Sequence, residues 1–563
     1  MYKKISIPAI FSIISAVLLR LSFPKTGYSP LVFFAMVPFL LILLQTTKSR
    51  NAFLWGWFFG SSFYYMNIFW LNTLSTYNSF IPIGIVFLGI LLGLSMGVFG
   101  WIGFFLHKYY PRFSFILLPC LWVLLEYIRN IGQLAFPWSY LSTTQWKNLF
   151  LIQVMDITGP WIISFLIVLV NIVLAQLILR ILDFKSRKNT TANQQERFFA
   201  GTSLIPGICL VFLLFLLITG YGFLRIGKTF NGTQGYEIAI LQPNIPQKIK
   251  FASYAGSDEE RQTLSGLLEN INFDMLGELQ ESGLDLVVMP ESAFTNHYFA
   301  YNHEIQDRIG QEARRIGAGI LLGADREIFY DKNGQIARTR EEIEDIQSYN
   351  SAWYFLPNGK LYSECYDKIQ LVPFGEHLPY FDLIPGFQRI IVQTGSFLKG
   401  SNYALFPLYS NPESMSQGAD CHFSSVICFE SSFGWLLRRF VKRGADFLII
   451  ITNDAWYEDS AGPYQHFTFS VIRAVETRRW IVRCSNRGIS ALISPKGEII
   501  QQSALNEKAS LRGMIYPAGN HSFYGKIGDL VVLPYVLTIA AAIAGIFIKK
   551  ASKKISTIGT IDK

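Results

Sequence analysis

Three stretches in the second half of this chain run an apolar segment into residues that can do chemistry. Leu286-Val287-Val288-Met289-Pro290 ends at Glu291. Phe423-Ser424-Ser425-Val426-Ile427 ends at Cys428, followed by Phe429 and Glu430. Tyr366-Asp367-Lys368 leads into Ile369-Gln370-Leu371-Val372-Pro373-Phe374-Gly375-Glu376. In α/β sheets, ligands and reactive groups gather at the C-terminal ends of strands. A cysteine just before a helix N-terminus and near a lysine is expected to have a depressed pKa and an enlarged thiolate fraction. A neighbouring carboxylate can take the thiol proton, and an ammonium can stabilise an oxyanion. Glu, Lys and Cys are therefore the parts of a nucleophilic acyl-transfer site. Singly, each has a plainer reading: a strand-end Glu as a cap or surface residue, a Lys in a turn as solvated, a Cys ending an apolar strand as core. Spacing alone does not bring the three together.

The elements that must position them begin at Tyr236, where short β-rich runs alternate with helical stretches. Strands are expected at 236–241, 284–289, 319–322, 351–356, 422–427, 446–451 and 489–494. Helices are expected at 261–279, 305–316, 433–442 and 464–480. The last carries Phe467, Val471, Ala474 and Val475 on one helical stripe. Such alternation predicts a layered α/β domain. The charged run 338–345 reads as a solvated loop or helix face.

The rest of the chain is of another kind. Of its 563 residues, 51% are hydrophobic and only 16% charged, and the mean hydropathy is +0.29. Soluble domains are nearer a quarter charged, so an ordinary soluble protein and a disordered one are both excluded. A membrane span needs about 20 mostly apolar residues, and eight stretches qualify: 5–21, 31–45, 52–71, 80–106, 113–128, 161–182, 203–224 and 530–548. The first lacks a small-residue cleavage site and reads as a retained helix rather than a signal peptide. With a cytoplasmic N-terminus, the inside segments carry sixteen Lys and Arg and the short outside segments only Arg20, Lys25, Arg129 and Lys147. This asymmetry predicts that residues 228–528 lie outside the cytoplasm. It also accounts for much of the net charge of +9 without nucleic acid. The stretch 129–158 is apolar in places; its polar residues and its aromatics Phe136, Trp138, Tyr140 and Trp146 favour an interfacial or re-entrant segment over a ninth span.

Six cysteines without a CxxC, and histidines without metal-ligand spacing, give no zinc or disulfide framework. Cys120 and Cys209 fall in spans and read as packing residues. Cys365, Cys421 and Cys484 are expected to be buried thiols, and His466 a hydrogen-bonded scaffold residue.

The three stretches resemble the nitrilase (carbon–nitrogen hydrolase) superfamily, whose catalytic set is Glu-Lys-Cys on an αββα sandwich. More closely, nearly the whole chain resembles the bacterial apolipoprotein N-acyltransferase family. The likeness rests on Leu241-Gln242-Pro243-Asn244-Ile245-Pro246-Gln247, Pro290-Glu291-Ser292-Ala293, the Tyr366–Glu376 segment, Cys428-Phe429-Glu430, Asn453-Asp454-Ala455-Trp456 and the run through Gln465-His466, Arg473, Glu476 and Asn486-Arg487-Gly488-Ile489-Ser490. Glu126-Tyr127-Ile128-Arg129 and Phe136-Pro137-Trp138 add to it in the membrane part.

The resemblance implies a multi-pass α-helical membrane protein of eight helices carrying a nitrilase-like αββα domain. It implies a membrane domain at 1–227, a periplasmic catalytic domain at 228–528, an eighth helix at 529–548 and a basic cytoplasmic tail at 549–563, in the bacterial inner membrane. Glu291 would be the general base, Lys368 the oxyanion-stabilising cation and Cys428 the nucleophile, with Glu376 and Glu430 in support. Asn350, Phe251 and Phe429 are substrate-site candidates; Phe251 stands where the family is expected to carry tryptophan, and Phe429 where some members carry tyrosine. A phospholipid acyl donor, a diacylglyceryl-modified apolipoprotein acceptor and no metal or organic cofactor are implied. Two other readings share parts of the pattern: a membrane-tethered amidase or nitrilase, and a non-catalytic lipid- or lipoprotein-binding protein. The apolar stretch 379–397 reads equally as a membrane-facing flap and as core.

Overall fold

The computed structural model describes residues 2–187 and 204–558, apart from 231, 256, 280–282, 295–297, 337–341, 381–396, 411, 417, 518 and 520–521. Most of the 379–397 stretch, part of the 338–345 run, His297 and His521 therefore lie outside the described residues. The chain divides into two compact units. One comprises Met1–Ile131, Phe136–Gly227 and Asp529–Lys563; the other comprises Gly132–Ala135 and Lys228–Gly528.

In the first unit, a helix occupies each of the eight apolar stretches: Tyr2–Ser22, Val37–Gln45, Ser49–Ile68, Ile81–Tyr109, Ser114–Ile128, Trp161–Arg187, Leu204–Ile226 and Leu533–Ile558. Among the described residues, five helical segments are long and apolar enough to cross a membrane: Ile81–Tyr109, Pro111–Ile128, Trp161–Asp183, Leu204–Ile226 and Phe523–Ser552. Val37–Gln45 is short because Pro38 and the tight turn Ser29–Phe33 break the run before it. Helices in an apolar solvent pack through small residues rather than by the hydrophobic effect. Ser49–Ile68 accordingly meets Ile81–Tyr109 so closely that a Cβ on Gly93 would lie 2.3 Å from Ser61 Oγ. Buried amides tie further helices: Asn171 donates to Val32 O (2.8 Å) and accepts from Met36 N (2.9 Å). The stretch 129–158 holds only short helical turns, Leu141–Gln145, Leu149–Ile152 and Met155–Thr158. None is long enough to span a bilayer. Cys120 is buried as expected, whereas Cys209 is exposed on its helix rather than packed.

The second unit is built on two six-stranded sheets. The strands are β1 (Tyr236–Gln242), β2 (Leu286–Val288), β3 (Gly319–Tyr330), β4 (Asp345–Phe355), β5 (Tyr366–Asp367), β6 (Phe406–Leu408), β7 (Cys421–Ile427), β8 (Phe447–Thr452), β9 (Trp480–Ser485), β10 (Ala491–Ile493), β11 (Ile499–Gln502) and β12 (Ala509–Ile515). One sheet has the order β12-β1-β2-β3-β4-β5, the other β11-β10-β9-β8-β7-β6. β1, β2 and β3 are mutually parallel, as are β7, β8 and β9. Parallel strands covered on both faces read as continuous apolar runs, which is why Phe447–Thr452 is buried throughout.

Helices cover the sheets. Asp258–Gly277 starts at a Ser257/Glu260 capping box, and His303–Ile316 at Asn302, whose side chain accepts from Ile305 N. The second buries Ile305, Ile309, Ala313 and Ile316 against β1–β3, each isoleucine contributing about 1.5–3 kcal/mol. Gly434–Lys442 and Ala461–Thr477 pack on each other beside the second sheet. Between the sheets, Cys484 Sγ of β9 lies 3.3 Å from Leu241 O and 3.4 Å from Val288 O, its single S–H shared between the two carbonyls. The layering is αββα, the expected fold class. Cys484 is a buried thiol as expected, while Cys365 and Cys421 are only half-buried.

Candidate active site

Glu291 stands three residues beyond β2, on a loop that β3 holds from beneath. Met289 N donates to Leu321 O (2.8 Å), Gly323 N to Pro290 O (3.1 Å) and Ala293 N to Gly323 O (2.8 Å). The approach is so close that a Cβ on Gly323 would lie 2.7 Å from Glu291 Cα. Ser292, the next residue, is left-handed at φ +51°. Glu291 is 6% exposed. Its Oε1 accepts from Asn350 Nδ2 (2.7 Å) and lies 3.6 Å from Lys368 Nζ; its Oε2 accepts from Asn453 N (2.8 Å).

Lys368 follows β5 and is fully buried. Lys368 N donates to Asn350 O (2.8 Å), so the same residue of β4 holds both the lysine backbone and the glutamate. Lys368 Nζ donates to Glu376 Oε1 (2.7 Å), whose partner Oε2 accepts from Val372 N (2.9 Å). Burial opposes the ammonium, but Glu376, Glu291 and Cys428 outweigh it and raise its pKa. Lys368 is a permanent cation between two carboxylates.

Cys428 directly follows β7 and opens the short turn Cys428–Ser432 with a left-handed φ of +53°. A non-glycine residue held there stores strain, and such strain clusters at functional sites. The backbone is fixed from below. His466 Nε2 lies 3.0 Å from the Cys428 carbonyl oxygen and 2.9 Å from Ser431 Oγ. His466 Nδ1 lies 2.7 Å from Asp454 Oδ1, and Arg483 donates to Asp454 Oδ2 (2.8 Å). His466 thus has the scaffold role expected of it. Despite burial, His466 and Arg483 hold the Asp454 carboxyl down at about 2.

The expected thiolate enrichment of Cys428 is corrected. Burial raises the thiol pKa, Glu291 raises it further, and Lys368 lowers it only in part. The turn that follows is five residues long, so little helix dipole reaches the sulfur. At rest the group is a thiol that needs a base.

Glu430 is fully buried and straps two segments together. Its Oε1 accepts from Tyr366 OH (2.7 Å), Ile369 N (2.7 Å) and Gln370 N (2.9 Å), and its Oε2 from Ile427 N (2.8 Å). Burial pushes this carboxyl up to about 7 against those donors. Glu291, Lys368, Glu376 and Asn350 are thus in direct contact, and Cys428 is coupled electrostatically to Glu291 and Lys368. Phe429 is buried against Phe433 (ring centroids 5.1 Å apart). Phe251 lies on helix Gln247–Ala255 and is 43% exposed. Sequence reasoning missed the Asn453 N–H and the Asp454–Arg483 pair, although the Asn453–Trp456 stretch was singled out. Among the described residues no cluster of His, Cys, Asp and Glu could hold a metal ion.

The sequence profile of the apolipoprotein N-acyltransferase N-terminal domain matches residues 15–173, and that of the carbon–nitrogen hydrolases matches 238–516. The chain is 31% identical to the apolipoprotein N-acyltransferase of Geobacter metallireducens over 554 residues, covering 96% of both chains. It belongs to the apolipoprotein N-acyltransferase family. Family relatives include apolipoprotein N-acyltransferase 1 of Treponema denticola (28% identical, 97% of this chain and 98% of the relative) and the enzyme of Thermotoga maritima (27%, 96% and 93%). Family membership and the long apolar helices make the chain a bacterial membrane acyltransferase. Among solved structures it is similar to Nit3 of Saccharomyces cerevisiae, a member of branch 10 of the nitrilase superfamily (14% identity, TM-score 0.35, 54% of this chain and 97% of that one).

Proposed function

We propose that this family member acylates lipoproteins through a Cys428 thioester, with a phospholipid as acyl donor and the α-amino group of an N-terminal diacylglyceryl-cysteine as acceptor. Lipoprotein N-acylation is the activity for which its full-length relatives are named. The observation that carries the assignment of residues is the buried Glu291–Lys368 pair, 3.6 Å apart and coupled to the Cys428 thiol.

In the first half-reaction Glu291 takes the thiol proton and the Cys428 sulfur attacks the ester carbonyl. The oxyanion faces the Lys368 ammonium, which Glu376 and Asn350 keep in register. The tetrahedral intermediate collapses, Glu291 returns the proton to the departing alcohol, and a lysophospholipid leaves a thioester behind. In the second, the lipoprotein amine attacks the thioester, Glu291 receives the amine proton and returns it to the thiolate, and an amide is released. The balance is ester plus amine to alcohol plus amide. Both substrates are membrane-anchored, a physical reason for one chain to carry apolar helices beside a catalytic domain.

On this reading 1–227 is the membrane domain with seven spans. Residues 228–528 form the catalytic domain on the periplasmic face of the inner membrane, 529–548 the eighth span and 549–563 the cytoplasmic tail. The Lys/Arg asymmetry of the loops supports that sidedness. A reporter active only outside the cytoplasm should be active when fused within 228–528 and silent after Lys554; the reverse would refute the topology. The chemistry is tested by incubating purified protein with phosphatidylethanolamine and weighing it intact. Wild type should gain one fatty-acyl mass on Cys428 and Cys428→Ala none. An acyl adduct on the alanine variant would overturn the nucleophile assignment.

A further inference from the structure

One buried charge beside the site has no part in those steps. Lys250 lies on helix Gln247–Ala255, immediately before Phe251, and is 1% exposed. An ammonium in such a place is costly unless it is paired. Its Nζ donates to the carbonyl of Ser292 at 2.7 Å. Ser292 is the left-handed residue that turns the chain directly after Glu291. Glu291 is the first group whose charge favours the ammonium, ahead of Asp325 and Cys484.

We infer that Lys250 is a positioning residue for Glu291: its side chain pins the left-handed turn that aims the carboxylate, and its ammonium sets a second positive charge beside that carboxylate. The inference rests on Glu291 being the base. Lys250 is faced by Glu291 from the end of β2, Asp325 from β3 and Cys484 from β9. Acidic groups coupled to Glu291 are Asp325 and, through the lysine it shares, Glu376; Cys428 and Tyr457 also feel its charge. Asp325 stands directly opposite Asn350 in the β3–β4 register, so its side chain shares a sheet face with the amide that holds Glu291. Burial, Glu327, Glu291 and Glu376 push Asp325 up to about 7, with Lys250 opposing them. Against these acids stand two cations: Lys368, which is shared with Glu376, and Lys250, whose charge Glu291 favours. Burial draws Lys250 down to about 8, so it is charged at neutral pH.

The sign follows. Removing a positive neighbour raises a carboxyl pKa, by about one unit for a close buried charge, and the rate that needs the ionised base then rises only at higher pH. Lys250→Gln keeps an N–H donor for the Ser292 carbonyl but removes the charge; Lys250→Met removes both; Lys250→Arg keeps the charge. Two profiles are measured on full-length protein in detergent between about pH 5 and 9: alkylation of Cys428 by iodoacetamide, and acyl-enzyme formation from phosphatidylethanolamine. The acid limb of both should move up about one pH unit in Lys250→Gln, a tenfold slower rate at a pH on that limb, and stay in place in Lys250→Arg. Lys250→Met should show the same shift with a further fall in plateau rate. Acid limbs that superpose for wild type and the glutamine variant would overturn the inference. A wild type that is alkylated but never acylated would instead sink the functional reading, while the alkylation profiles still decide the role of Lys250.

Discussion

From β12 to β5, neighbouring strands of the first sheet pair antiparallel, parallel, parallel, antiparallel, antiparallel; from β6 to β11 the second sheet follows the same sequence. β1 corresponds to β7 and β2 to β8, yet the corresponding strand ends carry different groups. β7 leads directly to Cys428. Its counterpart β1 ends on Gln242, whose side chain donates to Ala504 O and Glu507 O and accepts from Ser490 and Ser503. β2 leads to Glu291, whereas β8 leads to Asn453 and Asp454, which brace Glu291 and His466. A shared skeleton thus supplies equivalent places, and the residue at each strand end decides whether the place does chemistry or holds it. The two halves are also held differently. The base half is a set of mutually tuned charges at Glu291, Lys368, Glu376 and Lys250. The nucleophile half is a strained cysteine fixed by a closed Asp454–His466–Arg483 network.

Three substitutions sharpen this contrast, the largest effect falling on the charged half. Lys368→Met removes the cation facing the oxyanion, and loss of such a donor costs about 3–4 kcal/mol of barrier. Acyl-enzyme formation should slow by roughly 10²–10³, with little rescue by Lys368→Arg, whose planar fork does not replace a compact ammonium. Intact mass against time checks this. Wild-type rates in the methionine variant would make Lys368 a purely structural charge.

Asp454→Asn should act in the opposite proportion. It leaves Arg483 buried with its countercharge gone, a change that costs about 3–5 kcal/mol of stability, while slowing acylation only through a loosened Cys428 backbone. Denaturant midpoints compared with single-turnover rates measure both. Because Asp454 titrates lower in the folded state than in the unfolded chain, its contribution is present above about pH 4 and is lost as pH falls through about 2. The variant's stability should therefore depend less on pH across that window. An activity loss without a stability loss would contradict the bracing role.

Glu430→Gln tests the strap that joins the halves, and its effect should be the smallest. The amide retains an acceptor for Tyr366 and the Ile369 and Gln370 N–H groups but turns an N–H towards that of Ile427. One spoiled buried hydrogen bond costs about 1–3 kcal/mol. Thermal unfolding should report that loss, with acylation slowed by about tenfold or less.

Much of this arrangement was legible in the amino-acid order, for reasons that differ by residue. β1, β7 and β8 fall within a residue of expectation because they are short and mostly buried, with runs of β-branched and other apolar residues bounded by polar ones. β9 is absent from the expected strands, and the expected helix before it runs on to residue 480. That helix ends at Thr477 on a left-handed Arg478 rather than a glycine, and β9 carries Arg483 at its centre. A cap without glycine and a charge inside a buried strand both hide the boundary. β3 and β4 run far beyond the expected 319–322 and 351–356, because the outer arm of their hairpin is charged and half-exposed and so reads as loop. At the site, the reactive side chains were visible and their resting state was not. The thiolate expectation rests on a helix N-terminus and a nearby lysine, whereas the raised thiol pKa comes from burial and from Glu291, 137 positions away in the chain. Lys250 gave no signal at all, since its partner Ser292 is met only across the fold.

The central claim is that an amine, and not water, resolves a thioester on Cys428. Acyl-enzyme is preformed with phosphatidylethanolamine, freed of lipid, and given a diacylglyceryl-cysteine peptide carrying either a free or an acetylated α-amino group. With the free amine, the fatty-acyl mass should leave the protein as an equal quantity of amide appears on the peptide; with the acetylated peptide or buffer alone, the adduct should persist. Loss of the adduct at the same rate in all three would mark a hydrolase and contradict the account.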